Sequence, residues 1–168
     1  MLELRDGPPL CRLALRGNAA VALAAGIAFG AIPPLTPCRA ATAGPRAALW
    51  LGPDEWLLLA PRDALATTAG DLARALAGRA HSLVDVSDAS TTLLLEGAQA
   101  DLALRAGCPL DLHADAFPPG MATRTALARI GMVLWRRAPA AWQIEVAPSL
   151  AAYARAFLAE AARGLPAT

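Results

Sequence analysis

Apolar positions along this chain follow two spacings, and the switches between them mark the elements. Leu10, Leu13 and Leu15 lie in an apolar-rich run, Leu10–Leu15, that reads as a strand. Ala19–Ala31 (AAVALAAGIAFGA) is apolar throughout. With Asn18 ahead of it as N-cap, the segment reads as a buried, Ala-rich helix running to about Phe29. Pro33, Pro34 and Pro37 then impose an irregular connection. Leu49-Trp50 and the unbroken apolar run Trp56–Ala60 read as the arms of a hairpin. Gly52-Pro53-Asp54-Glu55 is its turn, because proline presets the backbone of a type I turn. The unbroken run predicts a strand covered on both faces. Leu65, Ala69, Leu72 and Leu76 recur at helical spacing, and Gly78 falls where a C-terminal cap belongs. His81–Val86 adds a further strand.

The second half repeats this order. Thr91–Glu96 reads as a strand, Ala98–Ala106 as a helix and Cys108–Gly120 as an irregular connection. Leu134-Trp135 leads into a turn within Arg137–Ala141. Trp142, Ile144 and Val146 then alternate with Gln143 and Glu145, the pattern of a half-exposed strand. Ser149 is placed to cap a last helix with Leu150, Tyr153, Phe157 and Leu158 inward, ended by Gly164 and Pro166. Trp50 and Trp135, Trp56 and Trp142, and Pro61 and Pro148 lie 85, 86 and 87 residues apart. The expectation is an α+β fold of two pseudo-repeated β-α-β-β-α halves, about 8–78 and 82–164, packed as one domain over 1–168. Paired positions make the four tryptophans core residues first.

Composition narrows the functions. Hydrophobic residues make up 56% of the 168 and charged residues only 17%, so the chain has ample apolar surface to bury and disorder is excluded. The net charge of +1 and the lack of a basic stripe argue against nucleic acid as a partner. Ala19–Ala31, with Arg12 and Arg16 ahead of it, also has the outline of a signal-peptide core. It is too short to span a bilayer, and the strand-like residues before it favour a buried helix and no membrane partner. All 15 basic residues are Arg. Without Lys, Schiff-base chemistry is unavailable, and any anion would be held by Arg forks or helix N-termini. Cys11, Cys38 and Cys108 form no CxxC and have no local His, so they read as reduced structural thiols in a cytoplasmic protein.

Few motifs carry chemistry. Asp111, His113 and Asp115 would share one face of an extended strand, as ligands of one metal do, but they sit in a Pro-bounded stretch and read as a solvated loop. Asp85, Ser87, Asp88 and Ser90 have active-site residue types without a GxSxG elbow or an activating His. They are expected to satisfy backbone donors where a strand turns, and His81 to pack or lie at the surface. No glycine pattern matches a dinucleotide or Walker loop. No catalytic, cofactor-binding or metal residue is therefore assigned. Two proline-stiffened turns remain as partner contacts: Pro53, Asp54 and Glu55, and Phe117, Pro118, Pro119 and Gly120 with Arg124 following. Preorganisation lowers the ordering cost of docking.

The segments ALWLGPDEWLLL, LVDVSDAST, GCPLDL, FPPGMATRT and VLWR…W.IEV, in that order from about Ala47 to Phe157, resemble the gamma subunit of heterotetrameric sarcosine oxidase. That family is similar in fold to the folate-binding domain of aminomethyltransferases (glycine-cleavage T-proteins). The resemblance implies a non-catalytic small subunit supporting assembly of a complex that oxidatively demethylates sarcosine. It implies alpha, beta and delta partners, with FAD, FMN, NAD and tetrahydrofolate held there and none in this chain. The sequence departs from the T-protein pattern at Gly131-Met132-Val133-Leu134-Trp135, which is apolar where those proteins carry an Asp pair. This puts autonomous folate chemistry in doubt. The alternative is a stand-alone folate-binding protein or aminomethyltransferase-like one-carbon transferase.

Overall fold

A computed structural model describes residues 2–165 as two compact units. The chain opens with strand β1 (Glu3–Asp6), which belongs to the later unit.

The unit of residues 8–88 contains β2 (Leu10–Arg16), α1 (Ala19–Phe29), β3 (Ala40–Ala43), β4 (Arg46–Gly52), β5 (Glu55–Pro61), α2 (Leu65–Ala75) and β6 (Ser82–Asp85). The strands form one antiparallel sheet ordered β3-β4-β5-β2-β6. Helices α1 and α2 bury Val21, Ala25, Phe29 and Leu72, with Leu76 at the C-cap of α2, in one cluster with Leu13, Leu15, Trp56 and Leu58. Leu57, Leu59, Ala47 and Leu49 point to the reverse face and are buried as well. The continuous apolar run of β5 thus has the two-sided cover that it predicts. Asn18 Oδ1 accepts from Val21 N at 3.0 Å, and Gly30, at φ +87°, ends α1 at Phe29, so Ala31 lies beyond the helix.

The other unit, residues 2–7 and 89–165, adds β7 (Thr91–Glu96), α3 (Ala100–Arg105), β8 (Ala122–Leu127), β9 (Ile130–Ala138), β10 (Ala141–Val146) and α4 (Ala151–Arg163). Its antiparallel sheet is ordered β1-β7-β10-β9-β8. Trp142, Ile144, Val146, Leu93 and Leu95 pack in one cluster with Ala103, Leu104, Ala154 and Leu158 of α3 and α4. Both sheets carry a strand from an adjoining part of the sequence at one edge, β1 here and β6 in the first unit. The chain therefore passes between units at 7/8 and 88/89 rather than in a single linker.

Several expectations are corrected. Strand β10 is not half-exposed: Gln143 is 5% and Glu145 2% exposed. Their polar groups are buried because they meet each other. Gln143 Nε2 donates to Glu145 Oε1 at 2.8 Å, and the Thr92 hydroxyl donates to the same oxygen at 2.7 Å. Ser149 does not cap α4, since Pro148–Leu150 form a 3-10 turn and the helix starts at Ala151. Leu150 and Tyr153 are exposed, and Ala151, Ala154 and Leu158 take the inner face instead. Gly164 ends the helix, while Pro166 lies outside the described residues.

Gly107 sits where three segments converge. An added Cβ would lie 2.6 Å from the Phe157 ring and 2.9 Å from Ala128 N, which itself donates to Gly107 O. Ala128, in the β8–β9 turn, holds φ +51°, a conformation that costs an L-residue about 1 kcal/mol. Substitutions at the two sites should act in opposite directions. Gly107→Ala should destabilise by about 1–3 kcal/mol through overpacking. Ala128→Gly should be neutral or stabilise by up to about 1 kcal/mol. Urea unfolding measures both, and equal midpoints for wild type and Gly107→Ala would contradict this packing.

Candidate functional site

The first proline-stiffened turn is a two-residue connection, Pro53-Asp54, between β4 and β5, both residues exposed. Glu55 differs: it is largely buried and accepts from Arg16 Nη2 at 2.6 Å, so it braces β5 against β2 rather than facing outward. Gly17 N donates to Asp54 O at 3.0 Å and holds the tip down.

At the second turn, Phe117 corrects the expectation of an exposed aromatic. Its side chain is 1% exposed and lies in the core, with its ring 5.4 Å from that of Trp142. The cause is Arg136 of β9, a buried guanidinium 4.8 Å from the Trp142 ring. Its Nη1 donates to Phe117 O at 2.8 Å and to Leu112 O at 3.4 Å, and its Nη2 to Pro139 O at 2.6 Å. One cation thus collects the carbonyls of the irregular 108–120 segment and pulls Phe117 inward. Gly120, at φ +85°, returns the chain by donating to Arg136 O at 2.8 Å. Pro119 and Arg124 remain exposed and Pro118 is half-buried.

The polar motifs are occupied locally. Asp85 accepts from the Ser87 hydroxyl and from Ser87 N at 2.9 Å, while Ser87 Oγ accepts from Arg12 N at 3.0 Å. Arg12 Nη1 also donates to Ser87 O at 3.1 Å. The Ser87 hydroxyl, then its N–H, hold the Asp85 carboxyl below the ordinary carboxylate range. Burial, then the Asp85 charge, push the Cys11 thiol up, which makes it a poor nucleophile. Asp88 pairs with Arg62 at 3.0 Å at the surface. Asp111 accepts from His113 N, and His113 Nδ1 lies 3.4 Å from Asp115, all exposed. Among the described residues, no group of three or more His, Cys, Asp or Glu could hold a metal ion, and no helix is long and apolar enough to cross a membrane. In the 131–135 segment, Met132 and Leu134 fill the core and Trp135 is buried on the reverse face. Trp56 and Trp142 are core residues as expected; the Trp56 indole donates to Pro34 O at 2.7 Å.

Two features escape the sequence reading: the Thr92–Gln143–Glu145 cluster, and the outer face of α1, where Leu23 and Ile27 are exposed. The all-round apolar composition of α1 is the signal for the latter.

Phe117→Ala should therefore cost about 3–5 kcal/mol of folding stability, read by chemical denaturation. Unchanged stability would contradict its core placement. Asp85 supplies a pH dependence. Its folded pKa lies below the unfolded one, so its contribution is present above the unfolded value and lost as pH falls through the folded value. NMR titration of the Asp85 carboxyl should show a low pKa that rises in Ser87→Ala, and no change in that variant would contradict the assignment.

The family model described as "Sarcosine oxidase, gamma subunit family" matches residues 16–164. The chain is 40% identical over 128 residues to a sarcosine oxidase subunit gamma of Arthrobacter sp., covering 76% of this chain and 61% of that one. It is 43% identical over 98 residues to the subunit gamma of Corynebacterium sp. strain P-1, covering 58% and 47%. The matches thus span less than two thirds of these relatives' length. Among solved structures, a chain of heterotetrameric sarcosine oxidase from Corynebacterium sp. U-96, in complex with pyrrole 2-carboxylate, superposes with a TM-score of 0.90 at 33% identity, covering 99% of this chain and 86% of that chain. Glycine cleavage system aminomethyltransferase T from Bartonella henselae shares the fold, with a TM-score of 0.68 at 13% identity over 94% of this chain and 45% of that chain. By family match and by structure, the chain belongs to the sarcosine oxidase gamma subunit family.

Proposed function

We propose that this chain is a non-catalytic small subunit that supports assembly of a heterotetrameric oxidase acting on sarcosine, or a closely related methylamine, by oxidative demethylation. In this reading its partners are alpha, beta and delta subunits in the cytoplasm, and FAD, FMN, NAD and tetrahydrofolate reside with them. The observation that carries the proposal is the near-complete superposition on a chain of a heterotetrameric sarcosine oxidase. Local chemistry supports it. The polar side chains of Asp85 and Ser87 are engaged with backbone groups and with one another, that of Asp88 with Arg62, and those of Asp111 and His113 with their own loop. Pro53, Asp54, Pro119 and Arg124 remain surface candidates for partner contact. The equivalent strand orders β6-β2-β5-β4-β3 and β1-β7-β10-β9-β8 support the reading of two duplicated halves.

The test is co-expression with the larger subunits, with and without this chain, followed by recovery of the complex and sarcosine turnover. Full complex and turnover should depend on the chain. Larger subunits that turn over sarcosine equally well alone and never retain it would refute the reading. Calorimetry of the purified chain with tetrahydrofolate separates the transferase alternative. Binding is expected to be weaker than micromolar, which corresponds to about −8 kcal/mol, because the apolar 131–135 segment offers folate's polar atoms few partners.

A further inference from the structure

We propose that the outer face of α1 is the seat of a larger subunit, which presents to it an apolar, uncharged protein surface. The inference rests on the subunit reading above and adds the location and chemistry of the contact. Leu23 and Ile27 are one helical turn apart on the face of α1 away from its own sheet, 53% and 74% exposed. Ile32 continues the patch: its Cα lies 2.6 Å from where a Cβ on Gly26 would stand, so the chain after α1 folds back against the helix, and Ile32 is itself exposed. Leu35 is a fourth exposed apolar residue in that connection. Exposed Ala20 and half-buried Ala24 lie beside Leu23 on this face and let another backbone approach closely.

Charge identifies the occupant. From Gly17 to Cys38 the chain carries no charged residue. The other three helices described provide an internal comparison. Each bears an ion pair: Asp71–Arg74 on α2, Asp101–Arg105 on α3 and Glu160–Arg163 on α4. These are ordinary solvated faces. A charge-free helix with apolar residues all round is instead a helix built to be covered. Nucleic acid would select basic side chains here, and an anionic membrane surface would select Lys or Arg along the helix, which α1 lacks. The cation nearest in sequence on the N-terminal side, Arg16, is tied to Glu55. Loss of charge at the centre of a patch is the compositional mark of a protein–protein contact.

The experiment uses the full chain co-expressed with the larger subunits. Ile27→Arg and, separately, Leu23→Gln are compared with wild type and with Glu160→Ala as a control on the solvated face of α4. Because Leu23 and Ile27 project outward, both variants should keep the wild-type circular dichroism and unfolding midpoint. Ile27→Arg should weaken assembly by about tenfold or more and Leu23→Gln by a smaller factor, read by titration of the larger subunits with labelled chain. Wild type that assembles while both folded variants assemble equally well would overturn the α1 contact and leave the subunit reading standing. Wild type that fails to assemble at all would overturn both. A wild-type chain that self-associates through this face, with Ile27→Arg converting a dimer to a monomer, would replace the larger subunit by a second copy and overturn the proposed occupant.

Discussion

Burial of both faces of β5 and β10 is the constraint from which the other features follow. A strand covered on one side can leave polar residues on the other to water, but these two cannot. In β5 the solution is compositional, with Trp56, Leu57, Leu58, Leu59 and Ala60 in unbroken succession. In β10 it is chemical. Gln143 and Glu145 stay polar and meet through an amide-to-carboxylate hydrogen bond, joined by the Thr92 hydroxyl from β7. Removing one member of such a cluster costs more than the bond itself, because the remaining groups are left buried without their partner.

The same constraint gives buried arginine structural duties. Arg136 is buried but stacks on Trp142 and donates to three carbonyls, fixing the irregular 108–120 segment over the core. Arg12 serves residues 85–88 in a related way, through Ser87. A planar guanidinium with five donors can bridge several carbonyls at once, which an ammonium on a flexible stem does poorly. The absence of lysine therefore costs the fold nothing at these positions.

What could be read from sequence depended on whether its cause was local. The Pro53-Asp54 turn, the Asn18 cap and strand Thr91–Glu96 were legible because their signals lie within a few residues. Edge strands β1, β3 and β8 were not. Glu3–Asp6, Ala40–Ala43 and Ala122–Leu127 have little apolar alternation and owe their conformation to the strands beside them. Alternation in β10 gave its type correctly but not its burial, because a period of two does not report what covers the polar side. Phe117 was misplaced for a similar reason: Arg136, which draws it inward, is 19 residues away in sequence. At the candidate site, the local occupation of Asp85 and Ser87 was foreseeable, whereas the exposed face of α1 emerged only once the sheet had taken the helix's other side.

The fold joins the gamma subunit family to the aminomethyltransferase architecture, while the functional reading rests on membership of an assembly. Native mass spectrometry of material captured from source cells through a tag on this chain tests that most directly. The account predicts a single complex containing this chain with three larger or smaller partner chains and with flavin present. A tagged chain recovered only as a free monomer, with no partner chain at stoichiometric level, would contradict it.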